Sequence, residues 1–192
     1  MHGVRGWMGA LLAGVVVVMG CMSESSESQV PGLSVRTVEL TDAQILRAMQ
    51  VANENEIAFG ALGQSRATTA SVRAFSVKMV TEHTVAREEL GMVAVDQELR
   101  PADSELSSML MAEAQHMMAE LDSLEGTRLD LALMDVQLAL HARTAMLVDS
   151  LLLPQSSNVA LSQLLTAQRK AVQGHLEEAL SIQKAVFDAP AP

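Results

Sequence analysis

Residues 72–90, VRAFSVKMVTEHTVAREEL, decide the fold of this chain. Their apolar side chains recur every three or four positions, at Val72, Phe75, Met79, Ala86 and Leu90. Residues with this spacing share one face of an α-helix, so the stretch predicts an amphipathic helix with a buried apolar face. His83 lies in the centre of that face, where an imidazole needs a hydrogen-bond partner or a ligand.

The same helical spacing extends on both sides of this stretch, from Leu40 to Phe187. It predicts five helices, at about residues 41–66, 69–99, 104–124, 127–152 and 159–187. Pro101, Gly126 and Pro154 fall between them, where a helix is expected to stop. No alternating run is long enough to predict a strand. The sequence therefore predicts one all-α domain over residues 40–188, followed by a tail at 189–192.

Four of these helices are long and the third is shorter, which favours a four-helix bundle with a crossover. A connector of about 20 residues spans ~30 Å, enough to carry the chain back along the bundle. The second and fourth helices would then run parallel, as in ferritin-like folds. An up-and-down bundle of five helices is the competing architecture.

Each long helix places one potential metal ligand on its apolar face, and the four residues are Glu56, His83, His141 and His175. Counting ~1.5 Å of rise per residue along a crossover bundle puts all four in one section of the interior. His116 differs, because it points away from the apolar face of the connector and is predicted to lie on the surface.

Three imidazoles and a carboxylate suit a transition metal such as Zn, Cu, Fe or Ni. Di-iron carboxylate bundles need two Glu-x-x-His pairs on facing helices, and this chain has only Glu113 and His116, on the connector. Met79 and Met134 share faces with His83 and His141, but filling the core is the favoured role for these thioethers. A buried site for Zn, Cu or Fe is therefore the candidate.

The same residues have a second interpretation. Asn53, Asp135 and Gln137 are predicted as hydrogen-bond partners of the buried histidines. In a metal site they would orient the ligands. Without a metal, they and Glu56 would satisfy the imidazoles in a hydrogen-bonded core network.

The N-terminus predicts export and a lipid anchor. An apolar run from Trp7 to Met19 follows Arg5, which is typical of a secretory signal and too short to span a bilayer. Residues 18–21, VMGC, resemble a bacterial lipobox and contain Cys21, the single cysteine of the chain. We therefore predict a signal peptide at 1–20 and a flexible tether at 21–39 with Cys21 lipidated; the alternative is an ordinary signal peptide with an incidental cysteine.

Met22 follows the cysteine instead of an aspartate, which in a cell with two membranes predicts sorting to the periplasmic face of the outer membrane. Removal of residues 1–20 takes away Arg5 and no acid, leaving 12 basic and 23 acidic residues. This charge repels phosphates, and no Trp or Tyr remains for base stacking. The predicted partner is the membrane, through the lipid, and nucleic acid is not expected.

Several short motifs are similar to those of the bacterial domain-of-unknown-function 4142 family. They are Ala52-Asn53, Glu56-Ile57, Val72 to Phe75, Lys78 to Val80, Glu82 to Thr84, Leu129-Asp130, Asp135 to Gln137, His141 and His175-Leu176. The resemblance covers about residues 40–187. It implies an exported, ferritin-like domain and directs attention to Glu56, His83, Asp135, His141 and His175, but it brings no established activity. The chain departs from the usual pattern of the family in three places: it has Glu82 where the family tends to have Asp, Leu129 where Phe is usual, and no proline in the turn before His175.

Two hypotheses for the function follow. The first is a membrane-tethered protein of the cell envelope that binds a transition metal as a buffer, carrier or sensor. The second is a structural or interaction lipoprotein without a metal. An enzyme is third, because the sequence shows no catalytic triad spacing, no nucleophilic cysteine and no glycine-rich phosphate loop.

Overall fold

The computed structural model describes residues 38–189, and this part of the chain forms five main helices with no strand. They are α1 (Asp42–Arg66), α2 (Ala70–Asp96), α3 (Glu105–Asp122), α4 (Gly126–Leu147) and α5 (Val159–Phe187). The all-α prediction is confirmed. The predicted signal peptide, Cys21 and most of the tether lie outside the described residues.

The loops and the contacts between helices define the direction of each helix. The three-residue loop after Arg66 makes α1 and α2 an antiparallel pair. Asn55 Nδ2 then donates to Leu110 O, and Arg66 Nη2 donates to Leu124 O, so α3 runs parallel to α1. Because α3 packs on α1 and α4 rather than on α2, it is a crossover and not a member of an up-and-down bundle. The four long helices form a ring in the order α1, α2, α5, α4, with α2 parallel to α4.

Local chemistry explains where the helices begin. Thr41 and Gln44 form a capping box at the start of α1, and Ser104 with Ser107 does the same for α3. The side chain of Asn158 accepts from the backbone N–H of Leu161 at the start of α5. These three starts lie within a residue or two of those predicted from the sequence.

The predicted end of α2 at Leu99 is wrong by three residues. The helix stops at Asp96 because Glu98 adopts a left-handed conformation with φ 52°. The N–H of Leu99 bonds to Ala94 O and that of Glu98 to Val95 O, which is a Schellman ending made without glycine.

The ends of α4 also differ from the prediction. Gly126, expected to end the preceding helix, is instead the first residue of α4, with φ 59°. At the other end, helical geometry continues beyond Leu147 as a π-helical turn, Val148–Leu152, and a last turn, Leu153–Gln155. The predicted turn at Pro154 therefore begins two residues later, and Pro154 lies within the last helical turn, directly after the π-helical turn.

Two hydrophobic clusters fill the bundle, one on each side of a polar section. The first contains Ile45, Leu90 and Leu161, and the second contains Phe59 and Phe75. Met79 and Met134 belong to the second cluster, which agrees with their predicted role in filling the core. The buried polar residues between the clusters are Asn53, Glu56, His83, Gln137, His141, Gln168 and His175. The candidate site is therefore a layer across the middle of the bundle.

By length and composition, the helical stretch Gly126–Gln155 is the one among residues 38–189 that could cross a membrane. A core helix passes the same test. Here Leu133, Met134 and Leu152 are buried against the rest of the bundle, so we describe α4 as a bundle helix.

Candidate metal centre

Three histidines meet in the polar layer of the bundle. His83 on α2, His141 on α4 and His175 on α5 are 6%, 1% and 4% exposed. Their ring centroids lie 5.1–5.5 Å apart, and one nitrogen of each ring lies within 4.8 Å of the other two. These three residues could hold a metal ion.

Helical phase brings the rings inward. His83 follows Met79 by four residues and precedes Leu90 by seven, and both neighbours are fully buried. On α5, His175 follows Val172 by three residues and precedes Ala179 by four, and both neighbours are buried. The apolar stripes that fold the bundle therefore also fix the direction of the imidazoles.

Each ring has an inner nitrogen, which faces the other two histidines, and an outer nitrogen, which faces away from them. The outer nitrogen of His83 has an acceptor as its partner. Its Nδ1 lies 2.8 Å from Oδ1 of Asn53, whose Nδ2 donates to Met49 O. Since Oδ1 can only accept, His83 carries its proton on Nδ1 and leaves Nε2 as a bare lone pair. That Nε2 is buried and has no hydrogen-bond partner within residues 38–189, which is costly for a polar atom unless something binds it.

His141 repeats the pattern. Its Nδ1 lies 2.8 Å from the carbonyl oxygen of Gln137 and 3.2 Å from Oε1 of Glu56. The carbonyl can only accept, so the proton of His141 is on Nδ1 and the lone pair is on Nε2. Two of the three imidazoles thus present an unprotonated Nε2 toward the same section of the interior.

The third ring completes the arrangement. Nε2 of His175 lies 2.7 Å from Oε2 of Glu82, and a carboxylate oxygen accepts this proton. Nδ1 of a neutral His175 is then a lone pair, 3.1 Å from the lone pair on Nε2 of His141. Two lone pairs at that distance repel unless a positive charge lies between or beside them. Either an extra proton on His175 or a metal cation satisfies this geometry.

Glu56 is also buried, at 3% exposure. Burial raises the pKa of its carboxyl to about 8, and the side chain of Gln137 opposes the shift. Its Oε1 faces Nδ1 of His141, the nitrogen opposite to the one that meets His175, and its Oε2 has no partner among the described residues. Glu56 therefore stands behind His141 rather than in the group of three nitrogens.

Burial keeps two of the rings neutral. It lowers the pKa of His83 to about 3 and that of His141 to about 4, and the neighbouring histidines add to both shifts, while the Gln137 carbonyl opposes the shift of His141. The sequence alone predicts competition between metal and protons near the free histidine value of about 6.5. In the folded site, these two nitrogens stay available to a metal well below that pH.

A cleft of about 310 Å³ leads from the surface to the three rings. Its sides are formed mainly by α2 and α5, with Val85, Ala86, Ala167 and Ala171 among the lining residues. All three histidines and Glu56 also line it. The site is thus buried but open to small molecules from one side.

The structure brings together most of the predicted residues, but not all of them. Asn53 and Gln137 bond to the histidines as predicted, through the amide of one and the backbone carbonyl of the other. The prediction for Asp135 is wrong: it is exposed and bonds to Gln183. Asp135 lies two positions before Gln137, which turns it about 200° around α4, away from the site.

Two residues of the site do not follow from the sequence analysis. Glu82 reaches across to His175, although its own position on α2 is exposed. Gln168 is buried seven residues before His175, on the same face of α5, and its Oε1 accepts from Asn53. Helical phase would have found Gln168. The contact of Glu82 depends on the spacing between two helices, which the sequence does not contain.

Comparison with known proteins identifies the family. No curated protein and no solved structure matches the chain. The model of the family described as "Domain of unknown function (DUF4142)" matches residues 28–182, which include α1 to α4 and most of α5. The chain therefore belongs to this family, as its motifs predict.

Proposed function

We propose that the bundle binds one divalent transition metal ion through Nε2 of His83, Nε2 of His141 and Nδ1 of His175. The protein would act as a metal buffer, carrier or sensor. The observation that supports this most strongly is the direction of the six ring nitrogens. Each outer nitrogen faces an oxygen acceptor, so each inner nitrogen is free to coordinate.

The donor set favours Zn²⁺ or Cu²⁺, with Fe²⁺ as the third candidate. All three ligand atoms are imidazole nitrogens, which suit these ions. Met79 and Met134 belong to the hydrophobic cluster and do not line the cleft, so these two methionines are not placed to supply thioether ligands for Cu⁺. The bound dication would favour the ionised form of Glu56, whose Oε1 would then accept more strongly from His141.

The proposed location is the cell envelope. The lipobox-like residues 18–21 support an acyl anchor on Cys21, and Met22 supports the outer membrane in a cell that has two. The excess of acidic over basic residues raises the concentration of cations near the surface of the tethered domain.

The anchor is tested in cells fed labelled palmitate. The chain is expected to take up the label, and Cys21→Ala is expected to lose both the label and membrane retention. If Cys21→Ala stays bound to the membrane through its N-terminus, the anchor proposal fails.

A second candidate rests on the same contacts. The bond of 3.1 Å between His141 and His175, together with those to Asn53 and Glu82, also describes a network held by one extra proton. In that case the protein is a structural or interaction lipoprotein, and the histidines contribute to stability alone.

Calorimetric titration separates the two candidates. The mature protein, purified without an affinity tag and stripped with a chelator, is titrated with Zn²⁺, Cu²⁺ or, without oxygen, Fe²⁺. Unfolding is then measured with and without metal. With free metal at about a hundred times its Kd, binding is expected to raise the free energy of unfolding by ~2.7 kcal/mol. The variant His83→Ala/His141→Ala is expected to lose this increment.

His116→Ala is the matched control, because His116 is exposed on α3 and pairs with Glu120. It should retain the full metal-dependent increment. The network candidate predicts instead no metal-dependent change, and destabilisation by His83→Ala or His141→Ala even in the chelator. Binding no tighter in the native chain than in the double variant, for all three ions, would end the metal proposal.

A further inference from the structure

We propose that the metal keeps one coordination position open to the cleft, and that this position binds a small neutral molecule with an apolar body and a single electron-pair donor. This inference rests on the proposed function, because the donor of the ligand would bind the metal held by the three histidines. It adds a class of ligand that the metal alone does not require.

The number of protein ligands leaves a position free. The three histidines supply one nitrogen each. Tetrahedral and five-coordinate sites need at least one more ligand, and sites with three protein ligands commonly take it from solvent or substrate. Oε1 of Glu56 faces the opposite nitrogen of His141, so the carboxylate is not in the ligand group.

The shape of the cleft favours an organic ligand over water alone. A volume of about 310 Å³ lies at the lower end of the range for small-molecule pockets, about 300–1,000 Å³. Small apolar residues line much of it, namely Ala52, Val85, Ala86, Ala167, Ala171 and Val172. A site that bound only a metal and a water would be more stable with this space filled, since cavities and exposed apolar surface are costly.

Charge decides the class of ligand. Glu82 and Glu89 line the cleft from α2, and Glu56 lines it deeper in. Neither lysine nor arginine occurs among the residues that line it in the described chain. These carboxylates offset the charge of the bound dication, so an anion would gain little electrostatic attraction in the cleft, whereas a neutral molecule would gain from burial of its apolar part.

The test uses the mature chain in detergent, loaded with Co²⁺ as a spectroscopic substitute for the native metal. The probe is 4-phenylimidazole, which has a neutral nitrogen donor and an apolar ring. We expect it to change the visible spectrum of the bound cobalt and to bind about ten-fold tighter than imidazole, because the phenyl ring is buried in the cleft. Azide, a small anionic donor, should bind more weakly than imidazole.

Two variants locate the probe. Ala171→Phe places a bulky ring in the cleft at an exposed position of α5, and it should weaken the probe about ten-fold. Ala185→Phe makes the same change at an exposed position fourteen residues along α5, away from the cleft, and should leave the affinity for the probe unchanged. The cobalt content of each variant is measured before the titration, so that loss of probe binding is not confused with loss of metal.

The outcomes are distinct. Cobalt binding without a spectral change on addition of the probe overturns this inference and leaves the proposed function standing. Equal probe affinity in Ala171→Phe and Ala185→Phe, or equal probe binding to the metal-free chain, also overturns it. Failure of cobalt and the three native candidates to bind at all overturns the proposed function and this inference together.

Discussion

Small residues occur in both contacts of α2, with α1 and with α5, yet one contact is closed and the other open. Against α1, α2 packs on Gly60 and Gly63 of α1. A Cβ at Gly60 would lie 2.9 Å from the backbone oxygen of Ser76, and one at Gly63 would lie 2.1 Å from Ser76 Oγ. Against α5, Ala86 and Ala171 line a cleft instead.

The difference shows that small residues alone do not close a helix pair. Between α2 and α5, long side chains span the gap: Glu82 reaches His175, and Lys78 Nζ lies 2.7 Å from Oε2 of Glu178. These contacts and the imidazoles occupy the space into which the helices would otherwise move. Helix α2 is thus closely packed against α1, where the contact stabilises the fold, and is separated from α5 by the cleft that leads to the candidate site.

The largest expected effect is on the closed side. Gly60→Ala and Gly63→Ala should each lower the free energy of unfolding by about 1–3 kcal/mol, because the added methyl groups overlap Ser76 on α2. Gly91→Ala is the matched control within a helix, since no atom of the described residues, apart from its chain neighbours and the backbone of its own helix, lies within 4 Å of the added Cβ. It should raise stability by about 0.5–1 kcal/mol. Urea unfolding followed by circular dichroism measures all three, and equal stabilisation at Gly60, Gly63 and Gly91 would show that the α1–α2 contact is not tight.

The next effect is the change of stability with pH that the polar layer causes in the metal-free protein, measured in the presence of a chelator. The folded pKa of Glu56, about 8, is above its usual value of 4.5, so the folded state holds one more proton than the unfolded state between these pH values. Stability should therefore fall as pH rises from 6.5 to 8, by up to about 1.4 kcal/mol per pH unit. Glu56→Gln should remove this slope, and Glu88→Gln, at an exposed position of α2, should keep it. Identical slopes in the two variants would mean that Glu56 is ionised in the fold.

His83 and His141 change the stability of the fold at lower pH. Their folded pKa values, about 3 and 4, are below the free value of 6.5, so the unfolded state binds more protons as pH falls from 6.5 toward 4. Stability contributed by the neutral rings is lost over that range. Together with Glu56, this predicts that the metal-free protein is most stable near pH 6.5. A maximum at pH 8 or above in urea titrations would be inconsistent with these three buried groups.

The smallest effect is expected on the open side. Ala171→Leu adds bulk at an exposed position that lines the cleft, so the free energy of unfolding should change by no more than about 0.5 kcal/mol. The contrast with Gly63→Ala, where one methyl group is enough to destabilise, is the direct measure of the difference between the two sides. Comparable losses for the two variants would remove the distinction.

Much of the fold could be predicted from the sequence because its signals are local. Apolar residues at helical spacing, the cap at Thr41 and the stop at Pro101 set the number of helices and most of their bounds. The end of α2 at Asp96 could not be predicted, because Glu98 takes the left-handed conformation usually reserved for glycine. The π-helical turn after Leu147 has no distinct sequence signal either.

The candidate site, too, could be predicted from the sequence only in part. The inward direction of His83, His141 and His175 follows from helical phase, and so does the exposure of Asp135, although its residue type made it attractive as a partner. Which nitrogen of each ring is free does not follow from phase. It depends on acceptors supplied across the bundle, such as Glu82 for His175, and these require the packed structure.

X-ray absorption spectroscopy of the metal-loaded protein tests the central claim most directly. With Zn²⁺ or Cu²⁺ bound at one equivalent, the spectrum should show three imidazole nitrogens at about 2.0–2.1 Å, with one or two further light ligands. His116→Ala should leave this spectrum unchanged, and His175→Ala should remove one imidazole. A site with fewer than three imidazoles, or one that keeps all its imidazoles in the His83→Ala/His141→Ala variant, would contradict the account.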